Sequence, residues 1–206
     1  MYKIGLTGGI ACGKTTICSF LQEFGASIID TDKIAHELAC PENSLWQAYY
    51  AHFGEKILLN DKTLNRRLIG NIVFSNSTEK NWLNKTSHPL ILAEVKKRIT
   101  RLTDLGIKIV ILDVPLLYEI GWDRFVDETW VVYVDKKTQL NRLRQRNSYT
   151  FAEARHRIQS QMPLSRKIKY ADKVINTGNP LLINKKNTYK LWTALQQKLE
   201  KINEQQ

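Results

Sequence analysis

Gly8-Gly9-Ile10-Ala11-Cys12-Gly13-Lys14-Thr15 decides how this chain is read, because it satisfies G-x-x-x-x-G-K-[ST] in full. The residues on either side supply the context that such a loop needs. Tyr2-Lys3-Ile4-Gly5-Leu6-Thr7 is a short apolar run that predicts a strand. Lys14 to Phe24 carries apolar residues at Ile17, Phe20, Leu21 and Phe24, which predicts a helix. In a strand-loop-helix of this kind, bare glycines let main-chain N–H groups converge on phosphate oxygens, and the positive end of the helix points at the same place. Lys14 is then the cation for the β- and γ-phosphates, and Thr15 a hydroxyl for a metal ion. The loop from Gly9 through Ile10, Ala11, Cys12, Gly13, Lys14 and Thr15 to Thr16 is therefore the expected binding site of a nucleoside triphosphate.

Outward from the loop, Gly25 ends the first helix and Ala26 to Asp30 predicts a second strand, with Asp30 and Asp32 at its carboxyl end. From Lys33 to about Leu105 there is no clear strand. Helical patterns occupy Leu64 to Phe74 and, after His88-Pro89, Leu90 to Leu105, so His88 falls at an expected helix start. Lys108 to Asp113 and Trp130 to Asp135 are continuous β-branched runs of the kind found in buried parallel strands. Thr138 to Gln161 reads as a basic helix, Lys173 to Asn176 as a last strand, and Pro180 to Glu204 as mostly helix. The expected fold is α/β: a parallel-sheet core over 1–32, 106–138 and 171–206, a helical acceptor-binding insert over 33–105, and an arginine-rich lid over 139–170.

With 206 residues, 43% of them hydrophobic, the chain can bury one real core with inserted subdomains. No stretch approaches a membrane span and the amino terminus lacks the pattern of an export signal, so the expectation is a cytoplasmic protein away from membranes. Cys12, Cys18 and Cys40 match no zinc or disulfide spacing and read as reduced thiols. The net charge of +11 is concentrated: from Leu140 to Tyr170 there are eight arginines and lysines against Glu153 alone. That placement suits a polyanionic small substrate better than nucleic acid, for which no motif is present. A guanine-reading N-K-x-D is absent, and the chain is short for a motor ATPase, which leaves small-molecule kinases as the fitting class.

The chain resembles the dephospho-CoA kinase family. The resemblance lies in Gly5-Leu6-Thr7-Gly8-Gly9-Ile10 running into Gly13-Lys14-Thr15-Thr16, Ile29-Asp30-Thr31-Asp32, Arg66-Arg67, His88-Pro89-Leu90-Ile91, Asp113-Val114-Pro115-Leu116-Leu117-Tyr118-Glu119, and Gln139-Leu140-Asn141-Arg142 followed by Arg146. Two departures are visible: Ala11-Cys12 stands where a Gly-Ser pair is more usual, and Thr31 where Ala is commoner. Cys12 thus either crowds the phosphate loop or makes it thiol-sensitive.

The resemblance implies that ATP and dephospho-CoA give ADP and CoA, with Mg²⁺ as cofactor and the phosphoryl group landing on the ribose 3′-hydroxyl. A ribose hydroxyl is a poor nucleophile, so a carboxylate is needed to orient it and take its proton. Asp32 is the expected base, with Asp30 supporting the loop or the metal. Asp113 either holds Mg²⁺ through water, beside Thr15, or bonds its own loop. Lys14 and Arg142 complete the expected catalytic set, and Arg142 and Arg146, four apart on one helix face, are expected to clamp ATP, with Arg155 nearby. Thr7, Asp32, Arg66, Arg67, His88 and Leu116 are expected on the acceptor side. Trp46, Tyr49, Tyr50 and Phe53 either contact the acceptor or form the insert's own core. Oligomeric state is not legible.

Overall fold

The computed structural model describes residues 1–204, and the chain divides into two compact units, residues 1–29 with 107–206 and residues 30–106. The first is built on a five-stranded sheet of β1 (Tyr2–Gly8), β2 (Ser27–Asp30), β3 (Ile109–Asp113), β4 (Glu128–Tyr133) and β5 (Lys173–Asn176), in the order β2-β3-β1-β4-β5. β1 runs parallel to β3, with Leu6 opposite Asp113, and parallel to β4, with Gly8 opposite Val132. Because β3 lies on one side of β1 and β4 on the other, the connections reverse direction there, and a crevice opens at the carboxyl end of β1. The phosphate-loop sequence starts at that point.

The three central strands β1, β3 and β4 are largely buried because both faces of the sheet are covered there. Ile4, Leu6, Ile111, Trp130 and Val132 form one core with Ile17, Phe20 and Leu21 of α1 (Lys14–Glu23) and with Trp192 and Leu195 of a long carboxyl-terminal helix, residues Leu181–Glu204. Trp192 also donates its indole N–H to the Phe24 carbonyl at 3.0 Å, which pins that helix to the end of α1. Strand β4 begins two residues earlier than its apolar run predicts. Glu128 and Thr129 are buried polar residues with partners: Glu128 accepts from the Tyr2 hydroxyl and the Trp130 indole, and Thr129 hydrogen-bonds Asp172.

The second unit holds α2 (Thr31–Leu38), α3 (Ser44–Phe53), α4 (Arg66–Ser75) and α5 (Ser77–Asp104) around Leu45, Tyr49, Phe53, Ile57, Leu64 and Ile69. Tyr49 and Phe53 are thus core residues, Trp46 packs partly buried against them, and Tyr50 is exposed. The expected helix start at Pro89 is corrected. Asn76 caps α5 with its side-chain oxygen on the N–H groups of Thr78 and Glu79, and the helix runs through Pro89 for 28 residues. A proline inside a helix forfeits one hydrogen bond and costs about 3 kcal/mol. Packing of Leu83, Leu90 and Ile91 against the unit's core offsets it. His88 is therefore a mid-helix residue and caps nothing.

Back in the first unit, the expected single basic helix is two. α6 (Lys136–Asn147) ends where Ser148 turns left-handed at φ 54°, and α7 (Phe151–Gln159) starts at Thr150, which forms a reciprocal capping box with Glu153. α8 (Leu164–Tyr170) follows and leads into β5, and the Leu181–Glu204 helix is α9. No helix among the described residues is long and apolar enough to cross a membrane.

Candidate active site

β1 delivers the chain into the loop, and two glycines are there because a side chain would not fit. A Cβ on Gly9 would sit 2.6 Å from the side-chain nitrogen of Gln139. Gly13 has φ 85°, and a Cβ on it would meet Thr177 at 3.3 Å. Ala11 takes a left-handed conformation, φ 59°, despite carrying a Cβ. Cys12 is 1% exposed and belongs to the main core, so its thiol faces inward under the loop, and burial pushes that thiol up from its ordinary pKa. Gly13 is the N-cap of α1 and offers no side-chain acceptor, which leaves the first N–H groups of the helix available to an anion.

Lys14 opens α1, and its ammonium pairs with Asp113 Oδ1. Asp113 is buried at the end of β3, and its other oxygen lies 3.3 Å from the Cys18 thiol, one helical turn beyond Lys14. The alternative that Asp113 bonds only its own loop is not what the structure holds, because this carboxylate reaches across to the phosphate-loop helix. Thr15 is exposed at the same helix start, and Thr16 half-buried beside it. Arg142 of α6 forks onto Thr177, with Nη1 3.1 Å from the hydroxyl and Nη2 2.9 Å from the carbonyl. The Thr177 hydroxyl in turn donates to the Cys12 carbonyl at 2.7 Å. One arginine is thereby tied to the loop through a single threonine. Arg146 sits in the last turn of α6, exposed, with its Nε on Asn147. Arg155 lines a cavity of about 530 Å³ with Gly9, Gln139 and Gln161.

Of the residues expected on the acceptor side, Thr7 is fully buried and gives its hydroxyl to the Pro115 carbonyl at 3.0 Å, while Leu116 is exposed in the turn after β3. In the second unit, Asp32, Arg66 and His88 come together on one cavity of about 480 Å³, whose walls include Leu45, Ile69 and Ser87. Arg67, exposed at the start of α4, is not among its walls. Asp32 is placed by the capping of α2: Asp30 Oδ1 accepts from the N–H groups of Asp32 and Lys33 at 2.9 and 3.0 Å. Asp30 thus caps the helix through one oxygen, and Asp32 sits in its first turn. Burial draws the His88 imidazole below its ordinary pKa, so it is neutral at physiological pH. Sequence reasoning missed Thr177, Gln161 and the fully buried Lys167, none of which belongs to a short motif.

A parallel sheet with a phosphate loop at its reversal point, a lysine paired with a strand-end carboxylate, and an arginine-bearing helix against the loop define a P-loop kinase. The sequence profile described as dephospho-CoA kinase matches residues 2–182. A dephospho-CoA kinase of Carboxydothermus hydrogenoformans is 46% identical over 177 residues, covering 85% of this chain and 86% of its own. The solved dephospho-CoA kinase of Campylobacter jejuni superposes with a TM-score of 0.70 at 29% identity, over 94% of this chain and 96% of its own. A crystal structure from Thermus thermophilus superposes with a TM-score of 0.82 at 25% identity over the same shares of the two chains. The chain belongs to the dephospho-CoA kinase family, which carries out the ATP-dependent phosphorylation of dephospho-CoA in coenzyme A biosynthesis.

Proposed function

We propose that the phosphoryl group is transferred to the ribose 3′-hydroxyl of dephospho-CoA with Asp32 as the base, and that the phosphate loop and the 139–170 lid hold ATP. The observation that carries the nucleotide half is the Lys14–Asp113 pair beside the open amino-terminal end of α1. A triphosphate brings the negative charge for which Lys14 exchanges Asp113. The N–H groups from Gly13 to Thr16 then face the phosphates, while Arg142, Arg146 and Arg155 neutralise charge as the loose transition state forms.

Among the described residues no group of three or more His, Cys, Asp or Glu side chains is gathered to hold a metal. Mg²⁺ needs none, since it keeps several waters and binds largely through phosphate. The Thr15 hydroxyl and, through water, the released Asp113 fit that demand. When bound there, the ion supplies neutralisation of the phosphate oxygens.

The acceptor half rests on Asp32, Arg66 and His88 sharing one cavity in the unit of residues 30–106. Arg66 meets an anionic group of the acceptor and the apolar walls take its uncharged parts. Thr7, Arg67 and Leu116 belong to this half by resemblance alone. Asp32 accepts the proton of the 3′-hydroxyl as its oxygen bonds to the γ-phosphorus and the bond to the β-phosphate oxygen breaks, releasing ADP. The basic excess serves nucleotide phosphates and no nucleic acid, and the enzyme works in the cytoplasm. The test is Asp32→Asn against Asp30→Asn. A general base contributes about 10²–10⁴ in rate, so kcat should fall at least about 10² in the first with KM for ATP little changed. A near-normal kcat in Asp32→Asn overturns the assignment.

A further inference from the structure

Two glutamine side chains reach the phosphate loop from different elements and meet on one peptide. Gln139, near the start of α6 and 3% exposed, donates from Nε2 to the Ile10 carbonyl at 2.9 Å. Gln161, just after α7, accepts the Ile10 N–H on Oε1 at 2.9 Å. The two bonds are complementary, since a carbonyl needs the amide nitrogen and an N–H the amide oxygen, so both side-chain amides have one orientation that works. Gln139 comes this close only because Gly9 has no Cβ.

Gln161 is itself held at the root of the lid. The next residue, Met162, donates its N–H to Glu119 Oε1 at 3.0 Å. Lys167, with no exposed surface, bridges that same oxygen and the Pro115 carbonyl, each at 2.9 Å. The side chain that grips the loop therefore stands on backbone anchored to the turn after β3.

Ile10 occupies a variable position of the motif and is half-buried, where water could satisfy its peptide. Ordering two glutamines on it sacrifices up to about 2 kcal/mol of rotamer freedom for each. A gain must come from holding the peptide plane still. Donors aimed at developing charge are worth most when they need no reorientation. We propose that Gln139 and Gln161 are positioning residues for phosphoryl transfer, clamping the Ile10 peptide from both sides so that the N–H groups after it keep their aim on the triphosphate. The inference rests on the phosphate-loop reading above.

Gln139→Met, Gln161→Met and the double variant keep side-chain length and remove the hydrogen bonds. Each single variant should lower kcat/KM for ATP about tenfold, the scale of one hydrogen bond's net worth, with KM for dephospho-CoA unchanged. Both glutamines act through one peptide, so the double variant should be little worse than the poorer single one. Gln161 is partly exposed, and thermal unfolding of Gln161→Met within a few degrees of wild type keeps the test valid even if Gln139→Met folds poorly. Losses that multiply in the double variant, that follow thermal stability, or that are absent would overturn the proposal. Lys14→Ala run alongside separates the two failures. If it is inactive while the glutamine variants behave as wild type, only the clamp is wrong; if it retains wild-type activity, the phosphate-loop reading itself falls.

Discussion

Replacing Lys167 with methionine tests whether the segment before β5 is fastened to the turn after β3 by a buried charge. The Lys167 side chain has no exposed surface, and its ammonium lies 2.9 Å from Glu119 Oε1 and 2.9 Å from the Pro115 carbonyl. Methionine has nearly the same length, so no large cavity opens and the loss is electrostatic. Removing one partner of a buried ion pair costs about 3–5 kcal/mol. Glu119 is 20% exposed and keeps the Met162 N–H, and Pro115 keeps the Thr7 hydroxyl, which argues for the lower end, about 3 kcal/mol. For a chain of this size each kcal/mol moves the unfolding midpoint by about 2–4 °C, so Tm should drop by about 6–12 °C. Calorimetry or far-ultraviolet circular dichroism reads this directly. Adding Glu119→Gln to Lys167→Met should return part of the loss, because the amide oxygen still accepts from Met162 and carries no charge. A single variant within about 2 °C of wild type would refute the reasoning, since it would mean that the pair contributes nothing beyond what a thioether supplies.

Ala11 holds a left-handed conformation, which costs a residue with a Cβ roughly 1–2 kcal/mol, while glycine there would lose about 0.4–1 kcal/mol through the freer unfolded chain. Ala11→Gly should therefore raise the urea midpoint by an amount equivalent to up to about 1 kcal/mol, and a lowered midpoint contradicts the account. Cys40 is exposed while Cys12 and Cys18 are buried, and burial pushes the Cys12 thiol up, away from the reactive thiolate. In the native protein at pH 8 an aromatic disulfide reagent should modify Cys40 quickly and the other two only after denaturant is added; rapid modification of Cys12 would show the loop to be open.

The fold was legible in the sequence wherever local pattern and tertiary structure agree. The apolar run of β1, the glycines after it and the spacing along α1 needed nothing from elsewhere in the chain, and they are where prediction and structure coincide. Differences arise where a distant partner decides. Glu128 and Thr129 look too polar for a buried strand until Tyr2 and Asp172, far off in sequence, are brought to them. Pro89 looks like a helix start because its own propensity argues for one, and only the Asn76 cap and the packing on both sides carry the helix through. The break between α6 and α7 was in principle readable, since Thr150 and Glu153 form the spacing of a capping box. The basic residues around it masked that signal.

For the site the division is sharper and follows the range of the interaction. Lys14 and Thr15 announce themselves because the loop, its lysine and its hydroxyl are contiguous. Asp113 is 99 residues from Lys14 and could only be suggested as a strand end, yet the parallel register that sets Leu6 beside Asp113 brings its carboxylate to the ammonium. The two aspartates after β2 show how local geometry resolves what a motif leaves open. Both are carboxylates two residues apart, and sequence alone assigns chemistry to either. Once α2 starts at Thr31, Asp30 occupies the capping position and one of its oxygens, Oδ1, accepts from two main-chain N–H groups, so moving that carboxylate toward a substrate would loosen the helix end. Asp32, the second residue of α2, lines the same cavity as Arg66 and His88. The helix start thus gives the two aspartates different surroundings, Asp30 at the cap and Asp32 on the cavity wall.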